Sequence, residues 1–319
     1  MAGDTVDARG NETEITFGEV TYGATFGAPI IKDKLFFFGA YQKLDIDTAL
    51  EWGPAGAGFP NDTDITLAEI NEVISIAQNV YGLSAAQVGG FQASPVEEDE
   101  SIVAKLDWNI NDFHRASLTY QFNEGNVTSN LTNSNGTLTL TSGFYNRTDE
   151  LQNYSAKLYS DWTDNFSTEI AFNVQDVDNG QVSFSDIGSV TIEEVGALEG
   201  DVEFGSDPSR HANNLTTKNT TFRIDANYLW DDHNIEFGIE NQSLEVFNIF
   251  LQNSRGTLVF EGLENFRNGV AASYDYQNGL GNNPANAAAE FTNDTLMLYV
   301  QDTLSLIHIS EPTRPRSIS

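Results

Sequence analysis

Carboxylates are the most abundant groups in this chain that could do chemistry. Its 319 residues include 47 Asp and Glu but only 15 Lys and Arg, which gives a formal charge of −32. Acids at close spacing could hold a divalent cation or serve as the acid and base of a glycosidase. The densest groups are Asp45 with Asp47, Asp62 with Asp64, Glu97-Glu98-Asp99-Glu100, and Asp176-Val177-Asp178-Asn179-Gly180.

None of these acidic groups has a specific catalytic or metal-binding signature. The 176–180 segment resembles the start of a calcium loop, but it has no third acidic ligand and no distant Glu. Chance pairs are expected among so many acids, and no apolar motif isolates one carboxylate as a general acid. All four groups fall in segments that we predict to be loops, where a solvated acidic surface is the simpler explanation. We expect neither a metal nor a cofactor.

The remaining residue types form no catalytic motif either. The chain has no Cys, which excludes disulfides, Cys-ligated metals and thiol catalysis, and it has no Gly-x-Ser-x-Gly string. His114 and His233 lie beside predicted short turns and near Asp residues, as surface histidines do. The acidic balance argues against nucleic acid as a partner, because phosphate binding needs clustered Lys and Arg. We therefore expect neither an enzyme nor a nucleic-acid-binding protein.

Strict alternation of apolar and polar residues is the dominant pattern of the sequence. In the segment 102–108, for example, Ile102, Ala104, Leu106 and Trp108 share one face. The pattern predicts nine strands, at 14–27, 34–44, 102–108, 116–123, 154–162, 169–174, 221–230, 235–240 and 294–303.

The connections between these strands are alternately short and long. The short ones are 28–33, 109–114, 163–165 and 231–234, and the long ones are roughly 45–99, 124–149, 178–217 and 251–291. This order places every short turn at one end of an up-and-down sheet, which is the layout of outer-membrane barrels. Helical spacing at 66–81, after an Asp64 or Thr66 cap, and around Leu263, Phe266 and Val270 predicts short helices in the loops. We expect ordered loops and no separate domain.

Three of the four tryptophans occupy equivalent positions. Trp108, Trp162 and Trp230 each end a predicted strand just before a short turn, and each lies on the apolar face. An aromatic girdle at a membrane–water boundary requires this repeated placement. The polar face of the same strands carries mixed charges, which predict a hydrated interior: Lys105, Asp107, Lys157, Asp161, Arg223 and Asp225.

One string has the character of a family motif. Residues 26–41 read Phe-Gly-Ala-Pro-Ile-Ile-Lys-Asp-Lys-Leu-Phe-Phe-Phe-Gly-Ala-Tyr. The string resembles the first barrel strands of TonB-dependent outer-membrane receptors of the Oar-like subgroup, which often carry a carboxypeptidase-regulatory-like domain. Weaker likenesses are 104–108, 114–120 and 299–302. The matching motif residues are Gly27, Pro29, Lys32, Asp33, Lys34, Phe36, Phe37, Phe38, Gly39 and Tyr41.

The resemblance implies a larger protein than this chain. The family has a TonB box, a plug domain and about 22 strands, so the chain resembles an internal barrel fragment. We assign 1–13 to a remnant of the plug–barrel junction and 14–303 to a partial barrel. Residues 304–314 read Leu-Ser-Leu-Ile-His-Ile-Ser-Glu-Pro-Thr-Arg, which resembles a translated sequencing-library adaptor. We interpret 304–319 as an adaptor-derived artefact.

Together these patterns predict an all-β fold, namely an antiparallel up-and-down transmembrane β-barrel fragment of about nine strands. It should have long extracellular loops and one or two short loop helices. By resemblance, the protein lies in the outer membrane of a Gram-negative bacterium and imports an unknown ligand with energy from TonB. Its partners would be outer-membrane lipid and the TonB complex, reached through an N-terminal region. The alternatives are a soluble extracellular β-rich binding or adhesion module, a secreted β enzyme and a passive porin.

Overall fold

The computed structural model describes residues 2–6, 12–129 and 133–304. Three α-helices are present in this part of the chain: α1 (Leu67–Asn79), α2 (Ala85–Val88) and α3 (Gly262–Asn268). None of these helices has the length and apolar character needed to cross a membrane. The strands, in chain order, are β1 (Ala2–Val6), β2 (Glu12–Ile31), β3 (Leu35–Thr48), β4 (Trp52–Ala55), β5 (Asn61–Thr66), β6 (Val96–Asn109), β7 (His114–Ser129), β8 (Thr137–Thr139), β9 (Tyr145–Thr163), β10 (Phe166–Ser183), β11 (Ser189–Val195), β12 (Gly200–Phe204), β13 (Ala212–Trp230), β14 (His233–Leu251), β15 (Thr257–Glu261), β16 (Ser273–Asp275) and β17 (Ala289–Leu304).

One antiparallel sheet contains all nine strands that the alternation predicts. Its order is β1-β2-β3-β6-β7-β9-β10-β13-β14-β17, so each strand pairs with the next one along the chain that belongs to this sheet. The tenth member, the short β1, was not predicted and pairs with the start of β2. The tight connections at 32–34, 110–113, 164–165 and 231–232 all lie at one end of the sheet. The predicted all-β, up-and-down architecture is confirmed.

The strands are longer than the alternation indicates, which corrects the placement of three acidic groups. Asp45 and Asp47 lie within β3, Glu97–Glu100 within β6, and Asp176 and Asp178 within β10, all in regular antiparallel register. Only Asp62 and Asp64 lie in a long connection, on the short β5. The reason is that backbone pairing continues past the end of the apolar band. Beyond that point both faces of the strands carry polar residues, so the sequence no longer alternates.

The register divides the sheet into two faces of opposite character. Directly paired residues lie on the same side of a sheet, and neighbours along a strand lie on opposite sides. One row therefore contains Phe37, Leu106, Leu118, Ala156, Phe172, Phe222, Asn241 and Leu296. The adjacent row on the other side contains Phe36, Asp107, Ser117, Lys157, Ala171, Arg223, Glu240 and Met297. We call these sides the apolar face and the polar face.

The long connections fold together into a compact unit, which we call the cap (49–95, 133–144, 184–211 and 252–288). A five-stranded sheet of order β16-β15-β11-β12-β8 joins its parts. Helix α3 packs against this sheet, and α1 contacts α3 and shares the hydrophobic core. The hydrophobic core of the described residues lies here and not on the large sheet. Its members are Ile65, Ile70, Val73, Ile76, Ala77, Val88, Leu138, Leu140, Val190, Ile192, Val195, Val202, Phe204, Phe260 and Phe266.

Both predicted loop helices are present in the cap. Helix α1 begins after Thr66, whose side chain accepts a hydrogen bond from the Glu69 amide, while the Glu69 carboxylate accepts one from the Thr66 amide. This reciprocal capping box explains why the helix begins at that point. Helix α3 ends at Gly269, which has a φ of 70°, so Val270 lies beyond the helix that its spacing predicted. The five-stranded sheet of the cap was predicted by no pattern in the sequence.

Candidate functional site: the two faces of the sheet

The apolar face carries an uncharged band across nine strands. No Asp, Glu, Lys or Arg occurs at the outward positions within 20–28, 35–41, 102–108, 116–122, 152–162, 166–174, 220–230, 235–243 and 296–300. Away from the short turns, charged residues bound the band on eight of these strands: Lys43, Glu100, Glu124, Glu150, Asp176, Lys218, Glu245 and Asp294.

The side chains of this band are exposed. Phe26 is 64% exposed, Leu118 55%, Phe172 45% and Leu298 72%, although each lies in the middle of a regular strand. No described residue forms a layer over this face, and the only buried hydrophobic residues of the nine long strands are Ala226 and Ile249. Monomeric soluble proteins rarely expose an apolar patch larger than a few hundred Å². The band is therefore a surface for an apolar environment.

The three tryptophans lie at the turn end of this band. Trp108, Trp162 and Trp230 are 49%, 56% and 58% exposed. The Trp162 indole N–H donates a 2.9 Å hydrogen bond to the Thr168 hydroxyl. His114 packs edge-on against the Trp162 ring at 5.1 Å. His233 stacks beside Trp230 at 5.9 Å, and its Nδ1 lies 2.7 Å from Asp302 Oδ2. Both histidines are thus surface groups next to an aromatic ring, which suits an apolar-to-aqueous boundary.

The tryptophans are staggered along the hydrogen-bonded rows. The row that contains Trp108 crosses β13 at Ile224, six residues before Trp230. Six residues are about 20 Å along a strand, and the four intervening strand spacings are about 19 Å, so a strand tilt of about 45° places both rings at one height. Such a tilt is close to the value typical of barrels. With the same tilt, the uncharged band is about 14 Å high on β6 (102–108) and about 23 Å high on β9 (152–162), compared with about 25 Å in known membrane barrels.

The family-motif residues lie together on the β2–β3 hairpin. Lys32, Asp33 and Lys34 form its turn, where the Lys34 amide donates a 3.0 Å hydrogen bond to the Ile31 carbonyl and Asp33 has a φ of 60°. In the register, Gly27 and Pro29 lie opposite Phe38 and Phe36 on the polar face. Phe37, Gly39 and Tyr41 belong to the apolar face. The three consecutive phenylalanines therefore serve two different environments.

The polar face carries the predicted mixed charges in contact with one another. Glu169 Oε1 lies 3.1 Å from Arg223 Nη2 and 3.5 Å from Lys157 Nζ, and Arg223 Nε lies 2.7 Å from Asp225 Oδ2. The Tyr299 hydroxyl donates to Asp225. Lys105 pairs with Asp107 at 2.9 Å, while the Asp161 amide donates to the Phe113 carbonyl. Exposed pairs of this kind contribute about 1 kcal/mol or less each, so they form a hydrated wall and add little stability.

The described ranges contain no candidate metal-binding cluster. No three His, Asp or Glu side chains there converge on a point that could hold a metal ion. Asp45 and Asp47 of β3 share one face of the sheet, as do Asp176 and Asp178 of β10, and only the four acids of β6 alternate between the faces. Asp176 and Asp178 line an open cleft of about 430 Å³ together with Glu150, Glu245 and Glu290, and Lys218 belongs to the same lining. A soluble module would require the tryptophan-bearing face to pack inward, and that face is exposed. The sheet is better suited to separating an apolar phase from a hydrated one.

Comparisons with known proteins give only distant likenesses. No protein-family model matches the chain, and no curated protein matches it. Among solved structures it is similar to the ferric yersiniabactin uptake receptor FyuA of Yersinia pestis, with 7% identity and a TM-score of 0.45 over 97% of this chain and 38% of that one. It is also similar to the ferric-catecholate import receptor Fiu of E. coli K12, with 11% identity and a TM-score of 0.38 over 94% and 45%. The chain thus spans less than half of either receptor, and scores this low carry no argument about function.

Proposed function

We propose that this chain is part of a TonB-dependent receptor in the outer membrane of a Gram-negative bacterium. Its large sheet forms a section of the barrel wall, and its cap faces the outside and takes part in ligand binding. The imported ligand crosses the membrane with energy supplied through TonB, and the chain itself catalyses no reaction. One observation carries the proposal: an exposed, uncharged apolar band faces away from a charged face across nine strands.

A barrel accounts for this band better than an open sheet does. The outer edge of β17 has no partner among the described residues, and Leu298 and Val300 there are 72% and 75% exposed. Lipid does not tolerate unpaired backbone at a sheet edge. We therefore propose that further strands continue the wall beyond β17, and the membrane experiments below are to be done on the protein that includes them. The polar face then lines the interior, where the Lys157–Glu169–Arg223 contacts remain hydrated.

The two ends of the sheet fix the orientation in this proposal. In outer-membrane barrels the short turns are periplasmic and the long loops extracellular. The cap is then extracellular, and the three tryptophans mark the periplasmic boundary of the bilayer. The Oar-like motif at 26–41 supports the same assignment, because it resembles the first barrel strands of that family. The subgroup and the imported ligand are expectations from that motif.

Labelling of single cysteines on intact cells tests the location and the orientation, because the chain has no Cys of its own. Leu280, 86% exposed in the cap, and Asp231, in a short turn, are the matched positions. A membrane-impermeant maleimide should label Leu280→Cys on intact cells, and Asp231→Cys only after the outer membrane is permeabilised. Equal labelling of both positions on intact cells, or of neither, would contradict the proposal.

Dependence on TonB separates this proposal from a passive porin. Thr119 lies on the polar face, opposite Lys105 and Ser155. In a TonB-dependent receptor, access to Thr119→Cys from outside should be faster in energised cells with TonB than in cells that lack it. A passive pore predicts the same labelling rate in both strains. Leu280→Cys, in the cap, is the control that should not respond to TonB.

A further inference from the structure

The cap contains an open pocket of about 270 Å³ that the large sheet does not line. Phe204, Phe260 and Phe266 form its inner wall and are 1%, 4% and 2% exposed. Tyr81 and Tyr274 form its outer wall and are 38% and 59% exposed. A site with a buried apolar wall and two accessible tyrosine rings is concave, apolar and partly open, which are the features of a small-molecule site.

The aromatic rings hold each other in fixed orientations. Phe266 stacks on Tyr81 at a centroid distance of 5.1 Å, and meets Phe260 edge-on at 5.2 Å and Phe204 edge-on at 6.0 Å. The Tyr81 hydroxyl donates to the Phe266 carbonyl, which fixes the outer ring to the inner wall. These edge-on and stacked arrangements are the ones that aromatic pairs prefer. The pocket is therefore formed before a ligand arrives.

The charge around this pocket is opposite to that of the chain. Asp and Glu outnumber Lys and Arg by 47 to 15 in the sequence, yet no acid lines the pocket and Arg255 does. The Arg255 guanidinium donates a 2.9 Å hydrogen bond from Nη1 to the Ser185 carbonyl. Within the described ranges, no carboxylate lies within ion-pair distance of it. An anionic group at the pocket would have a cation to pair with.

We propose that this pocket binds a small planar aromatic compound that carries a carboxylate. A dry cavity of about 150 Å³ holds benzene, so about 270 Å³ accommodates a bicyclic ring with a short acidic side chain. The ring stacks against Tyr81 and Tyr274, and the carboxylate lies towards Arg255. The inference extends the proposed receptor function by naming a ligand class for its extracellular part.

Three probes with the same ring and different charge test this proposal. Indole-3-acetate is anionic, indole is neutral and tryptamine is cationic. Isothermal titration of the full chain in detergent micelles, with a micelle-only titration subtracted, should give indole-3-acetate a Kd below about 1 mM. Its affinity should exceed that of tryptamine at least tenfold, with indole in between. Absence of binding for all three probes at millimolar concentration would overturn the proposal.

A matched pair of arginine variants and one tyrosine variant assign the binding to the pocket. Arg255→Gln should weaken indole-3-acetate about tenfold and leave indole unchanged, whereas Arg267→Gln should alter neither, because Arg267 pairs with Glu72 and Glu264 away from the pocket. Tyr274→Ala, at an exposed position, should weaken all three probes without loss of folding. If indole-3-acetate binds equally well to the parent, Arg255→Gln and Tyr274→Ala proteins, the site lies elsewhere and the inference is wrong.

The labelling experiment on intact cells keeps this test separate from the proposed function. Cysteine labelling of Leu280 and Asp231 reports the membrane location without any ligand. A chain that passes the labelling test and binds no probe refutes the pocket alone. A chain that binds the probes but fails the labelling test refutes the proposed receptor function and supports the proposed binding pocket.

Discussion

Tyr81 stacks on Phe266 with a centroid distance of 5.1 Å, although 185 residues separate them in the chain. Tyr81 belongs to the first long connection and Phe266 to the fourth, so this contact joins the two ends of the cap. Burial raises the pKa of the Tyr81 hydroxyl, which keeps it protonated as the donor to the Phe266 carbonyl. The connections of an otherwise open sheet thus behave as one folded unit.

Loss of the Phe266 ring should unfold the cap and leave the sheet intact. Phe266 is 2% exposed and contacts Tyr81, Phe204 and Phe260. Phe266→Ala should destabilise the cap by about 3–5 kcal/mol, the usual cost of removing a buried ring. Hydrogen exchange with mass spectrometry should show faster exchange in cap peptides and unchanged exchange in β9 and β10. Leu280→Ala, at an exposed cap position, is the control that should change neither.

The cap should lose stability as the pH falls below about 6.5, because of His211. His211 is 6% exposed, accepts the Arg255 amide at Nδ1 and lies 3.2 Å from the Ser206 carbonyl through Nε2. Burial lowers its pKa from the ordinary 6.5, and the nearby Arg255 charge lowers it further.

The direction of this change in stability with pH follows from proton linkage. Between the lowered folded pKa and 6.5, the unfolded chain binds more protons than the folded one, so acid favours unfolding in that window. The denaturant midpoint of the cap should therefore drop between pH 7.5 and pH 5.5. His211→Gln should show a smaller drop over the same interval. An equal drop in both proteins would assign the effect to other groups.

A charge on the apolar face should prevent membrane insertion, whereas the same charge one residue away should not. Leu118 lies in the middle of the band and is 55% exposed, and Ser117 lies on the polar face opposite Asp107. Leu118→Lys should cost about 2–4 kcal/mol of insertion free energy, as a lysine near the bilayer midplane does. Ser117→Lys should be tolerated. The folded fraction of each variant in liposomes, read from gel mobility at increasing urea concentration, gives its insertion free energy. Equal costs for the two variants would contradict the assignment of the faces.

The tryptophans should report their depth in a bilayer. A variant that keeps only Trp230, with the other three tryptophans replaced by Phe, should be quenched most by lipids brominated near the headgroup. The same result is expected when only Trp108 or only Trp162 remains, because tilted strands place the three rings at one height. Trp52, on β4 of the cap, is the control and should be quenched little by any brominated lipid. Strong quenching of Trp230 by lipids brominated near the ends of their acyl chains would contradict its placement at the membrane boundary.

Much of the large sheet follows from its sequence. Alternation such as that of Ile102, Ala104, Leu106 and Trp108 reflects a real difference between the two faces. The polar face carries charged side chains, and the band of the apolar face carries none. The short turns at 110–113 and 231–232 also follow, because Asn111-Asp112 and Asp231-Asp232 interrupt the alternation. Strand ends do not follow. Glu97–Glu100 continue β6 where both faces are polar, and no period marks that continuation.

The cap follows from the sequence only in part. Helix α1 has local signals in Thr66 and Glu69, which form its capping box. The sheet of the cap has none, because β11 pairs in parallel with β15 and β12 with β8, each from a different connection. These strands have only three to seven residues, and the two parallel pairings between different connections leave no recognisable pattern in the sequence. The pocket between Tyr81 and Tyr274 depends on that pairing and could not be predicted. The domain assignment of 304–319 lies almost wholly outside the described residues and stays a prediction.

Spin labels on two adjacent residues of β10 give the most direct test of the central claim, that the apolar face contacts lipid. Phe172 lies on the apolar face and Ala171 on the polar face, at the middle of the same strand. In lipid bilayers, the label at Phe172→Cys should collide often with oxygen and rarely with a water-soluble nickel chelate. The label at Ala171→Cys should show the reverse preference. If both labels favour the nickel chelate, the band faces water and the chain is not a membrane wall.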